Sequence, residues 1–161
     1  MRTLIVGLGN PVLGDDGVGW RVAELVRQKL QDKDLDREQV DVICLAVGGL
    51  SLMEHLVDYE RAILVDALDT GQGSLGSVSQ FDYEDLPNPG SGHTSSTHDT
   101  SLKTALEMGR SIGLKLPEKI TIIAVDVHVD YNFTENLTPS VAVAVPIAAQ
   151  KVIETLDNLH T

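Results

Sequence analysis

The amino-acid sequence predicts an α/β protein, a three-layer α/β/α sandwich around a mostly parallel central sheet with one antiparallel strand at its edge. Three observations carry this. Short runs of uninterrupted apolar residues, of which Ile63-Leu64-Val65 is the clearest, have the pattern of a strand covered on both faces. Between those runs, apolar residues recur at intervals of three and four, the period of an amphipathic helix. The two patterns alternate along the chain, as they must when helices cover both faces of a parallel sheet. At 161 residues the chain is long enough for one domain, 1–161, with its own core.

Taken in order, Leu4–Val6 is a short buried strand, and Val18, Val22, Leu25, Val26 and Leu30 mark the first helix. The charged stretch Gln31–Glu38 is a solvated connection. Val40–Leu45 is the second strand, Leu50–Val57 a helix and Ala62–Ala67 the third strand. Val78–Asp82 alternates apolar and polar residues, which suits an edge strand. Leu86–Thr97 is rich in Pro, Gly and Ser and reads as a long loop, a kind of segment that tends to be functional or mobile. Leu102, Ala105, Leu106, Gly109 and Ile112 define the next helix, with Gly113 as its stop. Ile120–Val125 is a further apolar strand. The last helix opens at Thr138-Pro139, an N-cap followed by Pro at the first helical position, and Pro146 is expected to bend it.

Composition narrows the function. The formal net charge of −12 disfavours a phosphate backbone as partner, because nucleic-acid binding needs clustered Lys and Arg. No apolar run approaches the roughly 20 residues of a membrane-spanning helix, and the N-terminus lacks the long apolar stretch of a signal peptide. The single Cys44 cannot form an internal disulfide, in keeping with a reducing cytoplasm, and reads as a small buried hydrophobe. The expectation is a cytoplasmic protein with no nucleic-acid or membrane partner.

The chemistry is concentrated in the loop after the first strand, Gly7-Leu8-Gly9-Asn10-Pro11-Val12-Leu13-Gly14-Asp15-Asp16-Gly17-Val18-Gly19. Glycines let a backbone approach closely or take positive φ, and two adjacent carboxylates in a tight turn need a cation, a proton or a helix N-terminus to compensate them. Asp66 ends the third strand, and ligands of open α/β sheets bind beyond the carboxyl ends of the strands. If the first and third strands are neighbours, Asp16 and Asp66 face one cleft. Against this stands the simpler reading in which Asp15 caps the first helix and Asp66 a turn. His98, where the Gly/Ser-rich loop meets a helix, adds an imidazole, and two carboxylates with one imidazole make a three-ligand site for nickel, zinc or iron. His93 is the alternative imidazole. His55, His128 and His160 read as surface or hydrogen-bonded residues.

Gly7-Leu8-Gly9 lacks the third glycine of a dinucleotide-binding loop. Leu4–Pro11 is similar to the opening of peptidyl-tRNA hydrolases, but the segment that supplies their catalytic His is occupied here by Gly14-Asp15-Asp16-Gly17. A fuller likeness runs over nearly the whole chain. Gly7-x-Gly9-Asn10 leading to Asp15-Asp16-Gly17-x-Gly19, then Ile63-Leu64-Val65-Asp66-Ala67, His98-Asp99 and Leu137-Thr138-Pro139-Ser140-Val141, resembles the hydrogenase maturation endopeptidases. Three segments depart from the pattern. Asp16 stands where the family often has Glu, Gly48-Gly49-Leu50-Ser51-Leu52 lacks the usual Thr and third Gly, and Asp126-Val127-His128 replaces a Pro-Glu-Ser segment.

The resemblance implies a phosphorylase/hydrolase-like sandwich and an endopeptidase that removes the C-terminal extension of a nickel-iron hydrogenase large-subunit precursor after nickel insertion. It implies that Asp16, Asp66 and His98 contact the metal, with Asp16 and Asp66 also the catalytic carboxylates of an aspartic-type peptidase. Nickel would arrive with the substrate, and the isolated site would accept another divalent cation. Two routes to cleavage stay open, the metal as Lewis acid or the carboxylates as an acid–base pair on water. The protease is expected to be a monomer. A non-catalytic nickel-binding chaperone would use the same three ligands.

Overall fold

The strands follow from uninterrupted apolar sequence. Leu4, Ile5 and Val6, Ile63, Leu64 and Val65, and Ile123, Ala124 and Val125 are all buried, and a strand buried on both faces needs helices above and below it. The computed structural model describes residues 1–32, 39–71, 73–85, 97–128 and 132–159, with the side chains of 97–101 and 159 outside that description. It contains β1 (Thr3–Leu8), α1 (Val18–Asp32), β2 (Val40–Leu45), α2 (Gly49–Leu56), β3 (Arg61–Leu68), β4 (Val78–Asp82), α3 (Thr97–Ser111), β5 (Lys119–Asp126) and α4 (Pro139–Leu159).

The strands form one sheet in the order β2-β1-β3-β5-β4. Four are parallel, and β4 runs antiparallel against β5 at the edge, with Val78 opposite Val125 and Asp82 opposite Thr121. The alternating segment Val78–Asp82 is thus the antiparallel edge strand that its pattern predicted. The two-residue period of each strand divides the core between the faces. Ile5, Ile63, Val65 and Ile123 pack with Val22 and Val26 of α1 and Val141, Ala148 and Val152 of α4. Leu4, Val6, Leu64 and Ile122 pack with Leu52 and Leu56 of α2 and Leu102 and Leu106 of α3. The result is the three-layer α/β/α architecture.

Element ends differ from the sequence reading by a residue or two for most elements. β1, β3 and β5 extend past their apolar runs because the ladder continues through Gly7, Arg61 and Lys119. α1 continues to Asp32, which makes Gln31 and Asp32 helical, while residues 33–38 lie outside the described set. Gly113, at φ +87°, follows the end of α3 as its expected stop. Of the expected loop Leu86–Thr97, residues 86–96 lie outside the described set, and Thr97 is the first residue of α3. Pro146 lies inside α4 without ending it. Among the described residues no helix is long and apolar enough to cross a membrane.

One burial expectation is corrected. Cys44 is half-buried, because β2 is an edge strand that helices cover only in part. Its remaining exposure does not make it a nucleophile. Burial pushes the thiol above its ordinary range, so the thiolate is scarce at neutral pH.

Candidate active site

β1 ends in a glycine-built turn that a single added methyl group would disrupt. Gly9 has φ +126°, and a Cβ there would fall 1.9 Å from the Asp16 carbonyl oxygen. At Gly19, in the first turn of α1, a Cβ would meet the Leu8 and Val65 carbonyl oxygens at 2.3 and 2.4 Å. The start of α1 therefore lies directly on the carboxyl ends of β1 and β3. Between them, Gly14–Gly17 forms a short 3₁₀ turn that carries Asp15 and Asp16 and packs against β3.

Hydrogen bonds then fix the two carboxylates differently. The Asn10 N–H donates to Asp16 Oδ2 at 2.8 Å, closing the loop on itself, while Asp16 stays exposed. Asp15 accepts from the Thr138 N–H at Oδ1 and from the Thr138 hydroxyl at Oδ2, both at 2.8 Å. The simpler expectation that Asp15 caps the first helix is therefore corrected. Its carboxylate serves the head of α4, with both oxygens engaged by Thr138.

Strand order answers the condition set by the sequence, since β1 and β3 are adjacent and in parallel register from Thr3–Arg61 to Gly7–Val65. Asp66 follows Val65 at the carboxyl end of that pairing. It is half-buried, and its Oδ1 accepts from the Ala67 N–H at 2.8 Å. By the strand period it shares a face with Leu64, the face that α2 and α3 cover.

α3 reaches the same edge from that side. Its C-terminal end leads within a few residues to the start of β5, where the Lys115 carbonyl accepts from the Asp58 N–H at the amino edge of the sheet. Its 15 residues span about 22 Å, most of the roughly 26 Å of the eight-residue strands β3 and β5, so its first turn, with His98, stands towards the carboxyl edge. The His98 side chain lies outside the described residues, as do His93 and His160 altogether. Among the described residues, no group of three His, Cys, Asp or Glu is arranged to hold a metal ion.

The remaining histidines behave as surface residues. His55 Nδ1–H donates to the Ser51 carbonyl at 2.8 Å within α2, and exposed His128 lies 3.9 Å from Asp69. Asp126, at the end of β5, accepts from the Thr70 hydroxyl at 2.8 Å and braces the turn after β3. What sequence reasoning missed was the partnership of Asp15 with Thr138. The two residues are 123 positions apart, and no sequence pattern connects them.

Fold and site together define an α/β protein with Asp15, Asp16 and Asp66 at the carboxyl edge of parallel strands, beside a turn too tight for any residue but glycine at its pivots. The profile of the hydrogenase maturation protease family HycI matches residues 21–155. The hydrogenase 2 maturation protease of Escherichia coli is 25% identical over 161 residues, covering 97% of this chain and 91% of that protein. Among solved structures, the hydrogenase maturating endopeptidase HybD of E. coli superposes with a TM-score of 0.73 at 23% identity, over 98% of this chain and 93% of the other. The hydrogenase 2 maturation peptidase of a Thaumarchaeota archaeon gives 0.67 at 27% identity, over 98% and 99%. The chain belongs to the hydrogenase maturation protease family, and is a peptidase of that family.

Proposed function

We propose that this protein is the endopeptidase that removes the C-terminal extension of a nickel-iron hydrogenase large-subunit precursor once nickel is in place. The observation that carries the reading is the adjacency of β1 and β3, together with the packing of the turn that carries Asp16 on β3, the strand that carries Asp66. α3, whose first turn holds His98, covers the same face as Asp66. In this reading Asp16, Asp66 and His98 reach the open positions of a nickel ion that the precursor brings with it. Two carboxylates and an imidazole suit such an ion as oxygen and nitrogen donors.

Recognition through the metal makes cleavage conditional on loading, because a metal-free precursor loses those contacts and binds more weakly. Bound nickel supplies Lewis acidity to the scissile region. The chain's own part is to hold Asp16 and Asp66 where one carboxylate takes a proton from the attacking water while the other gives a proton to the scissile carbonyl, as the acid–base pair of an aspartic peptidase does. That division of labour makes it an aspartic-type peptidase with nickel used chiefly for recognition. Exposed Phe133 and Val12 flank the turn, joined through the Thr134 N–H to the Val12 carbonyl at 2.9 Å, which suits a protein substrate that covers this rim.

The test is mass spectrometry of a nickel-loaded large-subunit precursor after incubation with the protein. The expected result is loss of a C-terminal peptide by the wild type and none by Asp16→Asn or His98→Ala, with both variants still folded. An intact cognate precursor, with its nickel verified, would overturn the nickel-loaded large subunit as the substrate and favour a non-catalytic partnership with it. Normal cleavage by either variant would overturn the assignment of that residue.

A further inference from the structure

We infer that Asp15 is a positioning residue, whose grip on Thr138 at the head of α4 fixes the turn that presents Asp16. The inference rests on the protease reading for Asp16, but its geometric basis is independent. Both oxygens of Asp15 are engaged by one residue, 123 positions away, at 2.8 Å each. Thr138 is the N-cap of α4, since its carbonyl accepts from the Ala142 N–H at 2.9 Å and Pro139 begins the helix. Its hydroxyl is turned away from its own helix and donates to Asp15 instead.

The pairing also resolves the charge problem of two adjacent acids. Asp15 sits against the positive end of a 21-residue helix, a favourable place for a carboxylate. Consecutive residues of a 3₁₀ turn point about 120° apart, so anchoring Asp15 in α4 turns Asp16 another way, where its Oδ2 meets the Asn10 N–H. Further straps hold the segment in parallel. The Gly14 N–H donates to the Thr134 carbonyl at 2.7 Å, and Arg21 Nη2 donates to the Glu135 carbonyl at 2.9 Å. The straps keep the turn near α4, and the Asp15 bonds act on the residue directly next to Asp16.

Turnover of the nickel-loaded precursor tests this. Because a misplacement near 1 Å can cost about 100-fold in rate, Asp15→Ala should lower kcat by roughly 10- to 100-fold. Thr138→Val, which keeps shape and the backbone N–H, should lower it less, and Thr138→Ser should restore it. The double variant Asp15→Ala/Thr138→Val should be no slower than Asp15→Ala, because the hydroxyl acts through that carboxylate alone. A second readout is amide hydrogen exchange at Asn10, expected to quicken in Asp15→Ala and Thr138→Val and to recover in Thr138→Ser.

A full wild-type rate in Thr138→Val, with Asp15→Ala as inactive as Asp16→Asn, would make Asp15 a direct participant and overturn the inference. Unchanged Asn10 exchange in Asp15→Ala would overturn it as well. If the wild-type protein leaves the loaded precursor intact, the protease reading fails, and Asn10 exchange still decides the role of Asp15. Should Asp15→Ala not fold, the Thr138→Val and Thr138→Ser pair carries both readouts.

Discussion

At Gly9 the backbone conformation and the space around it make the same demand. Its φ of +126° is one that L side chains rarely adopt, and the Asp16 carbonyl lies where a Cβ would be. Gly71 separates the two causes, since it has φ +65° with nothing within 4 Å of a built Cβ. Gly71→Ala should therefore show only the conformational cost of a left-handed residue, about 1–2 kcal/mol. Gly9→Ala adds a backbone clash, for which overpacking of about 1–3 kcal/mol is typical, and should lose correspondingly more. Urea unfolding of the two variants checks this, and equal losses would show that the turn around Asp16 yields freely. The glycines of this loop were legible in the sequence as a close approach of backbone. Which atoms approach was not, because the Asp16 carbonyl returns to Gly9 only after a turn set by tertiary contacts.

Among the elements, the amino edge of the sheet is clamped by a cluster that has no part in the candidate site. Arg2, just before β1, stacks on the Tyr59 ring at 4.5 Å and donates to Asp41 of β2 at 3.1 Å, while the Tyr59 hydroxyl donates to the same Asp41 oxygen at 2.7 Å. The Tyr59 hydrogen bond holds the Asp41 carboxyl below its ordinary range, partial burial opposes it, and Arg2 adds to the lowering. Burial, and then the bond to Asp41, push the Tyr59 phenol up. A depressed carboxyl contributes stability above its unfolded value, about 3.9, and loses it as pH falls through the lower folded value. A raised phenol keeps its contribution below about 10 and loses it as pH rises through the higher folded value.

Arg2 and Asp41 are each half exposed, so solvent screens the pair, and the contribution is of the order of 0.2–1 kcal/mol. Tyr59→Phe should lower stability by about that amount near pH 7. The deficit should close as pH drops below the carboxylate range, read from urea midpoints across pH 2–7. A deficit that stayed constant in acid would assign the effect to packing of the ring instead. The strands that this cluster joins were visible as apolar runs in the sequence, and the edge strand Val78–Asp82 was legible to the residue from its alternation. The strand order was not, because register between β1 and β3 depends on residues some sixty positions apart. For the same reason the neighbourhood of Asp16 and Asp66 could be stated only as a condition, and the link from Asp15 to Thr138 was not visible at all.

At the scale of the whole molecule, two apolar clusters lie on opposite faces of a single sheet and share its strands. Ile5 of β1 belongs to the cluster under α1 and α4, and Leu4 and Val6 of the same strand belong to the one under α2 and α3. β3 divides in the same way, with Ile63 and Val65 on one side and Ala62 and Leu64 on the other. Neither helical layer can leave without exposing one face of the strands that the other layer still needs covered. The two layers should therefore unfold together, as one domain. Trp20 on α1 reports one layer, because its indole N–H donates to the Leu45 carbonyl at 3.1 Å, and far-UV circular dichroism reports all the helices. The two signals should trace one urea transition. Leu106→Ala on the α3 side and Ile153→Ala on the α4 side, both buried, should each cost about 2–5 kcal/mol. Each should shift both signals equally, although Trp20 lies on the opposite face of the sheet from Leu106. If Leu106→Ala moved the dichroism and left the Trp20 transition in place, the layers would be separately stable and the one-domain reading would fail.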